Sequence, residues 1–230
     1  YLLSNFRARL KEEEERIGKE EEQTQDLLLN TLRELSLEAI NEVALKYFDH
    51  LTKITGRFID SKQHFIHREY FQKMLNEFLT ASTLFNRAYT KPLGYAGDYE
   101  MMNIIYRNGF EGEDVFSQVM NKIDCEGSAA KAVRNRRDYL SRKIASTYRS
   151  VPEDGSCKIV SIACGPCVEM ADFLGGLKEM KRTVKLDFIA MDQDENALDD
   201  ASRRLFPLID GIQDIRIRVT RDNIKDLILG

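Results

Sequence analysis

No stretch of the chain comes near the roughly 20 consecutive apolar residues that a membrane-spanning helix needs. Lys and Arg total 34 against 38 Asp and Glu, a formal net charge of −4. The basic excess of a general nucleic-acid binder is therefore missing. Four cysteines (Cys125, Cys157, Cys164 and Cys167) in 230 residues do not suggest a disulfide-stapled fold. A zinc site at Cys164 and Cys167 would need two further ligands, and Cys125, Cys157 and the three histidines fall in no paired spacing, so no metal is expected. No signal peptide opens the chain, which suggests the cytoplasm. It begins at Tyr1 without an initiator methionine, so an upstream segment is expected. Material for a core is ample: 43% of residues are hydrophobic and 31% charged. That length holds one large domain or two small ones.

The first 150 residues read as helical. Residues 1–26 are rich in Glu, Lys and Arg, with sparse apolar positions at Leu3, Phe6, Leu10 and Ile17. This suits a solvated helix, a linker, or an arm through which two copies form a homodimer. Thr31 and Glu34 fit a capping box. The helix after them would carry Leu32, Leu35, Ile40, Val43, Tyr47, Leu51 and Ile54 near one face and stop at Gly56. The spacing predicts a next helix from about Ser61 to about Asn86, with Phe65, Phe71, Met74, Leu75, Phe78 and Phe85 as its core side. Lys91-Pro92 ends it, because a residue before proline avoids the helical region. In the loop Lys91–Gly97 (KPLGYAG), two aromatics, Tyr95 and Tyr99, flank a flexible turn; it suits a plain turn or a lid over a ligand. Asp98 can cap a helix carrying Met101, Ile104 and Ile105. A short helix near Glu113–Ile123 follows, then Ser128 caps one over Ala129–Tyr148. There Val133, Leu140 and Ile144 face inward, and Arg134, Arg136, Arg137, Arg142 and Lys143 mostly outward.

Pro152–Gly155 is a polar turn and the expected boundary between a helical domain (1–150) and an α/β domain (151–230). Beyond it the pattern alternates: strand 158–162, helix 166–174 stopped by Gly175–Gly176, strand 186–191, helix 195–205, strand 215–220. Such alternation implies a parallel sheet with right-handed crossovers. Gly230 follows only the third strand, so the sheet is expected to be part of a larger one.

The chemistry concentrates at the small-residue turn Ala163–Cys167 and at Asp192, where the second strand ends. Three readings compete. Cys164-Gly-Pro-Cys167 is a thioredoxin-type tetrapeptide, and a helix N-terminus lowers a thiol pKa. Yet the chain has no Trp to precede the first cysteine, and its third strand lacks the proline that would face the disulfide. A dinucleotide site would put the glycines of G-x-G-x-x-G at Ala163, Gly165 and Val168, where only one is present. An S-adenosylmethionine site needs only a tight, small turn, because that cofactor has no phosphate. The helix N-terminus can receive its carboxylate, and an acid such as Asp192 can accept from both ribose hydroxyls. Gln193 can lie beside the adenine, and Asn223 and Ile224 can border it.

The segments VSIACGPCVE (160–169) and AMDQDENAL (190–198) resemble those of class I S-adenosylmethionine-dependent methyltransferases. More narrowly, KPLGYAGDYEMMNIIY (91–106), AVRNR (132–136) and DNIKDL (222–227) resemble a bacterial family described as extracellular-factor, 3-hydroxypalmitic acid methyl ester synthase-like. The resemblance covers about residue 60 to the end. It implies a helical cap over a Rossmann-like sheet and S-adenosylmethionine as cofactor. It implies cofactor contacts at Ala163, Cys164, Gly165, Asp192, Gln193, Asn223 and Ile224, with Tyr95, Asp98, Tyr99 and Arg134 at the closing edge. The acceptor it implies is a small or acyl-type molecule such as a hydroxy fatty acid carboxylate. If the acceptor needs a base, Tyr95, Tyr99, His64 and His67 are the candidates. Thiol–disulfide exchange at Cys164 and Cys167, and a non-catalytic sensor or interaction module, stay open beside this reading.

Overall fold

The computed structural model describes residues 1–57, 60–180, 184–212 and 214–222, without the side chains of residues 44, 45, 48 and 178. Among them are nine α-helices and three strands. In order these are α1 (Leu2–Ile17), α2 (Glu22–Thr55), α3 (Ser61–Leu79), α4 (Thr83–Thr90), α5 (Tyr99–Arg107), α6 (Val115–Glu126), α7 (Ser128–Ser150), β1 (Ser156–Ile162), α8 (Val168–Leu177), β2 (Lys185–Asp192), α9 (Glu195–Ile209) and β3 (Ile215–Arg221). The chain is therefore mostly helical with a small parallel sheet, an α/β fold. Among the described residues no helix is long and apolar enough to cross a membrane.

Two compact units divide the chain, and the boundary is not the turn at Pro152–Gly155. The first unit is Tyr1–Pro92 with Arg107–Gly127; the second is Leu93–Tyr106 with Ser128–Gly230. The expected split at residue 150 fails because α7 packs along α8. Tyr148 of α7 is 2% exposed, sits edge-on to Phe173 at 5.4 Å and donates its hydroxyl to the Val184 carbonyl. Helix α5 is tied into the same unit by polar bonds described below.

In the first unit α6 is the hub, packed by α1, α2 and α4. Its N-terminus is closed by a capping box in which Asp114 accepts from the Ser117 N–H and Ser117 Oγ accepts from the Asp114 N–H. Val115, Phe116, Val119 and Met120 then bury their side chains with Leu10 and Ile40. Phe6 and Phe78 meet Phe116 edge-on, each at 6.3 Å. Three expectations need correction here. The helix expected from Thr31 begins at Glu22; Thr31 lies inside it, with its hydroxyl on the Leu27 carbonyl one turn back. The single helix expected over 61–86 breaks at 80–82. Thr80 bonds back to the Asn76 carbonyl and the buried Ser82 caps α4 through the Phe85 N–H, local bonds that compete with helix continuation. The apolar stripes are also only partly core. Phe78 packs on it, whereas Phe65 and Met74 of α3 and Val43, Tyr47, Leu51 and Ile54 of α2 are exposed.

In the second unit the strand order is β1-β2-β3, all parallel, with Ile162 opposite Met191 and Asp192 opposite Arg221. Leu186, Phe188 and Ala190 on the central strand are buried with Phe173, Leu174 and Leu177 of α8 and Leu198, Ala201 and Leu205 of α9. Two helix ends differ from expectation. Gly175 and Gly176 do not stop α8, because Leu177 completes its buried face. Helix α9 runs to Ile209 with Pro207 in its last turn. The register aligns the carboxyl ends of β1 and β2, so the turn after β1 lies beside the residues after β2, which is where open α/β sheets bind ligands.

Phe116→Ala is expected to destabilise the first unit by about 3–5 kcal/mol, the cost of emptying a filled aromatic site. Urea denaturation of the variant against wild type measures it.

Candidate functional site

A cavity of about 850 Å³ opens at the carboxyl ends of β1 and β2, and its lining comes wholly from the second unit. One side is the turn Ala163–Pro166 with Ser161, Ile162 and Glu169. Asp192 ends β2, and Gln193 and Asp222 directly follow β2 and β3. The other walls are Tyr95, Gly97, and Tyr99, Met102 and Tyr106 of α5, then Arg136, Arg137 and Leu140 of α7.

The turn is held by two bonds to the end of β2, one to a backbone carbonyl and one to a side chain. The Cys164 N–H donates to the Met191 carbonyl at 3.0 Å and the Gly165 N–H to Asp192 Oδ2 at 2.9 Å. Asp192 Oδ1 accepts from the Asp194 N–H at 3.0 Å. A carboxylate offers about four acceptor sites, so each oxygen keeps one for a ligand in the cavity it lines. Ala163, Gly165 and Cys167 have φ of 52°, 51° and 50°. All three are left-handed, and two of them carry a Cβ that this region disfavours. A Cβ added at Gly165 would meet nothing within 4 Å, so backbone conformation alone favours glycine there.

Charge is arranged around this turn. Tyr95 donates its hydroxyl to Asp194 Oδ2 at 2.6 Å. Burial, then that bond, pushes the Tyr95 hydroxyl well above its ordinary pKa. Burial opposes ionisation of Asp194, but the bonds from Tyr95, Asn196 and Ala197 prevail and hold its carboxyl below the usual range. Burial pushes Glu169 up, against its own backbone bond and the nearby Arg136. Burial, then the Glu169 charge, raises Tyr106, against a bond from Arg136. Arg137 is paired bidentately with Asp172 at 2.6 and 3.0 Å and lies 5.6 Å over the Tyr106 ring.

Of the residues expected from the sequence, Tyr95, Tyr99, Ala163, Cys164, Gly165, Asp192 and Gln193 meet in this cavity. Asp98 and Arg134 are not in the lining. Asp98 is 2% exposed and caps α5 by accepting from the Met101 N–H at 2.8 Å. Arg134 donates to the Ile105 carbonyl at 3.3 Å, fastening α7 to the end of α5. His64 and His67 stand on α3, in the first unit, and are not in the lining either. Asn223 and Ile224 lie outside the described residues. Met102, Tyr106, Arg136, Arg137, Glu169 and Asp222 were missed. The signal for the first two was the i, i+3, i+7 spacing of Tyr99, Met102 and Tyr106, which puts them on one helix face. Arg136 and Arg137, expected mostly outward, and Leu140, expected in the core, instead line the cavity.

Cys164 and Cys167 are both buried, at 6% and 0% exposure. A hydrogen bond with Cys164, then burial, pushes the Cys167 thiol far up. Thiolate chemistry needs the opposite, an accessible thiol of lowered pKa. Helix α8 also starts only after Cys167, so the tetrapeptide precedes the helix. Among the described residues no group of three or more His, Cys, Asp or Glu could hold a metal ion.

Two variants test this geometry. Ala163→Gly removes the cost of a Cβ in the left-handed region and is expected to stabilise by about 1 kcal/mol, seen as a higher urea midpoint. Glu169, raised in the fold, keeps its proton to higher pH when folded than when unfolded. Its ionisation therefore subtracts stability as pH rises above the unfolded value of about 4.3. Glu169→Gln is expected to exceed wild type in stability at about pH 7, and that advantage should vanish near pH 4, read from denaturation midpoints across pH.

No family model and no curated protein matches the chain. Among solved structures, a possible exported protein from Bordetella parapertussis is similar over 61% of this chain at 19% identity, with a TM-score of 0.39. The match covers 44% of that structure, so the chain spans under half its length. A likeness of this size carries no argument about function.

Proposed function

We propose that the second unit binds S-adenosylmethionine in a Rossmann-like manner and that the protein is a methyltransferase. The observation that carries the reading is Asp192, placed at the end of the central strand against the Ala163–Gly165 turn with acceptor capacity left toward the cavity. The residues suit this cofactor. Asp192 would take the ribose hydroxyls and Gln193 would flank the adenine. The turn would receive the amino-acid end of the cofactor next to the start of α8. Asp192 and Asp222 put carboxylates at the strand ends of the lining, which favours a sulfonium cation there, while Arg136 and Arg137 line another wall. S-adenosylmethionine, when bound, supplies a methyl group already activated by its sulfonium.

What remains for the chain is alignment and exclusion of water. Tyr99, Met102, Tyr106 and Leu140 present an aromatic and apolar wall for an acceptor. Arg136, which bonds to the Tyr106 hydroxyl, adds a cation beside it. That combination suits an acyl-type acid, whose carboxylate would accept the methyl without a general base. Tyr95 is a poor proton acceptor here, since its hydroxyl is already committed to Asp194.

The test is S-adenosylhomocysteine binding by calorimetry. Wild type should bind, and Asp192→Ala should bind about 10- to 100-fold more weakly, the cost of losing a polar partner in a dry site, roughly 1–3 kcal/mol. A non-catalytic module would show no binding in either protein.

A further inference from the structure

Outside the lining, one polar cluster joins the cofactor turn to the opposite wall. Arg204 of α9 donates from Nε to the Pro166 carbonyl at 3.1 Å. Its Nη2 donates to Asn103 Oδ1 at 3.1 Å and to Asp200 Oδ2 at 3.0 Å. Asn103 in turn donates from Nδ2 to Asp200 Oδ2 at 3.1 Å and to Glu100 Oε2 at 3.3 Å. Asn103 is 6% exposed, and neither Asn103, Asp200 nor Arg204 touches the cavity. Pro166 is part of the turn, however, and Asn103 is flanked on α5 by the wall residues Tyr99, Met102 and Tyr106.

From this we infer that Arg204 is a positioning residue: its guanidinium holds the cofactor turn and helix α5 at a set separation, so the two walls of the cavity are fixed by one side chain. A guanidinium is planar, and its N–H directions are rigidly related. Orienting Nε at the Pro166 carbonyl therefore also sets where Nη2 meets Asn103. Lysine could keep the i, i+4 ion pair with Asp200 but its ammonium donors rotate about a flexible stem and do not fix the direction to one wall relative to the other. The consequence for ligands rests on the cofactor reading above; the mechanical link does not.

The test uses the full chain and two variants. Arg204→Lys retains the ion pair and loses the fork. Asn103→Ala leaves Arg204 its bonds to Pro166 and Asp200 and removes the bonds of Asn103 to Arg204, Asp200 and Glu100. Amide hydrogen exchange of the unliganded proteins is followed at Gly165 and Cys167, with β2 amides as the internal reference. S-adenosylhomocysteine affinity is measured alongside. The expected result is at least threefold faster exchange at Gly165 and Cys167 in both variants, unchanged β2 amides, and affinity lowered about three- to tenfold. Faster exchange in the turn with no binding by wild type would sustain the link and sink the cofactor reading. Wild-type exchange at the turn in both variants, or an equal rise across β2 that marks general loosening, overturns the proposal.

Discussion

The geometry of the second unit turns on the Asp192 carboxylate, which accepts the Gly165 N–H with one oxygen and the Asp194 N–H with the other. Adjacent parallel strands bring their carboxyl ends together, but beyond the Cys164 N–H bond to the Met191 carbonyl the loops leaving them need a further restraint to stay there. One carboxylate placed between the two loops supplies that restraint with charge-assisted bonds, which are stronger than neutral ones. The conformation of the turn follows: it can pass through three left-handed residues within five positions only because its amides at Cys164 and Gly165 are pinned. Strain of this kind persists where the surroundings over-determine the backbone, and such places are commonly functional.

Around that anchor the unit is built in shells of different chemistry. Beneath the turn lies an apolar core of Cys167, Met170, Phe188 and Ala190; the bond with Cys164, then this burial, pushes the Cys167 thiol pKa up. Facing the cavity are Tyr95, Tyr106 and Glu169, whose proton affinities are raised chiefly by burial. Beyond the lining, Arg204, Asn103 and Asp200 connect α9, α5 and the turn. Helices α5 and α7 are thus parts of the sheet's own unit, contributing the wall opposite the strands. The site is completed by segments about 60 and 25 residues upstream of the turn.

Much of this was legible beforehand because it is local. The strands announced themselves by β-branched runs, and their ends fell within two residues of those expected. Asp192 was readable because the first acid at the end of a second parallel strand has nowhere to go but the loop cluster. Helical spacing also made the face carrying Tyr99, Met102 and Tyr106 available to inspection. The boundaries that failed did so where side-chain bonds compete with the helical backbone, as at Thr80 and Ser82. They also failed where a buried residue beyond a glycine continues the helix, as at Leu177.

Composition and periodicity alone determined that this chain would be an α/β protein with a parallel sheet, a small-residue turn and an acid beside it, since each depends on neighbours within a few residues. Tertiary structure alone decided the roles of Asp98, Arg136 and Arg204. A buried carboxylate caps a helix or meets a ligand according to which N–H groups surround it. An arginine on a polar helix face turns to solvent or into a cavity according to what packs alongside. Those neighbours are distant in the chain, and only folding brings them within reach.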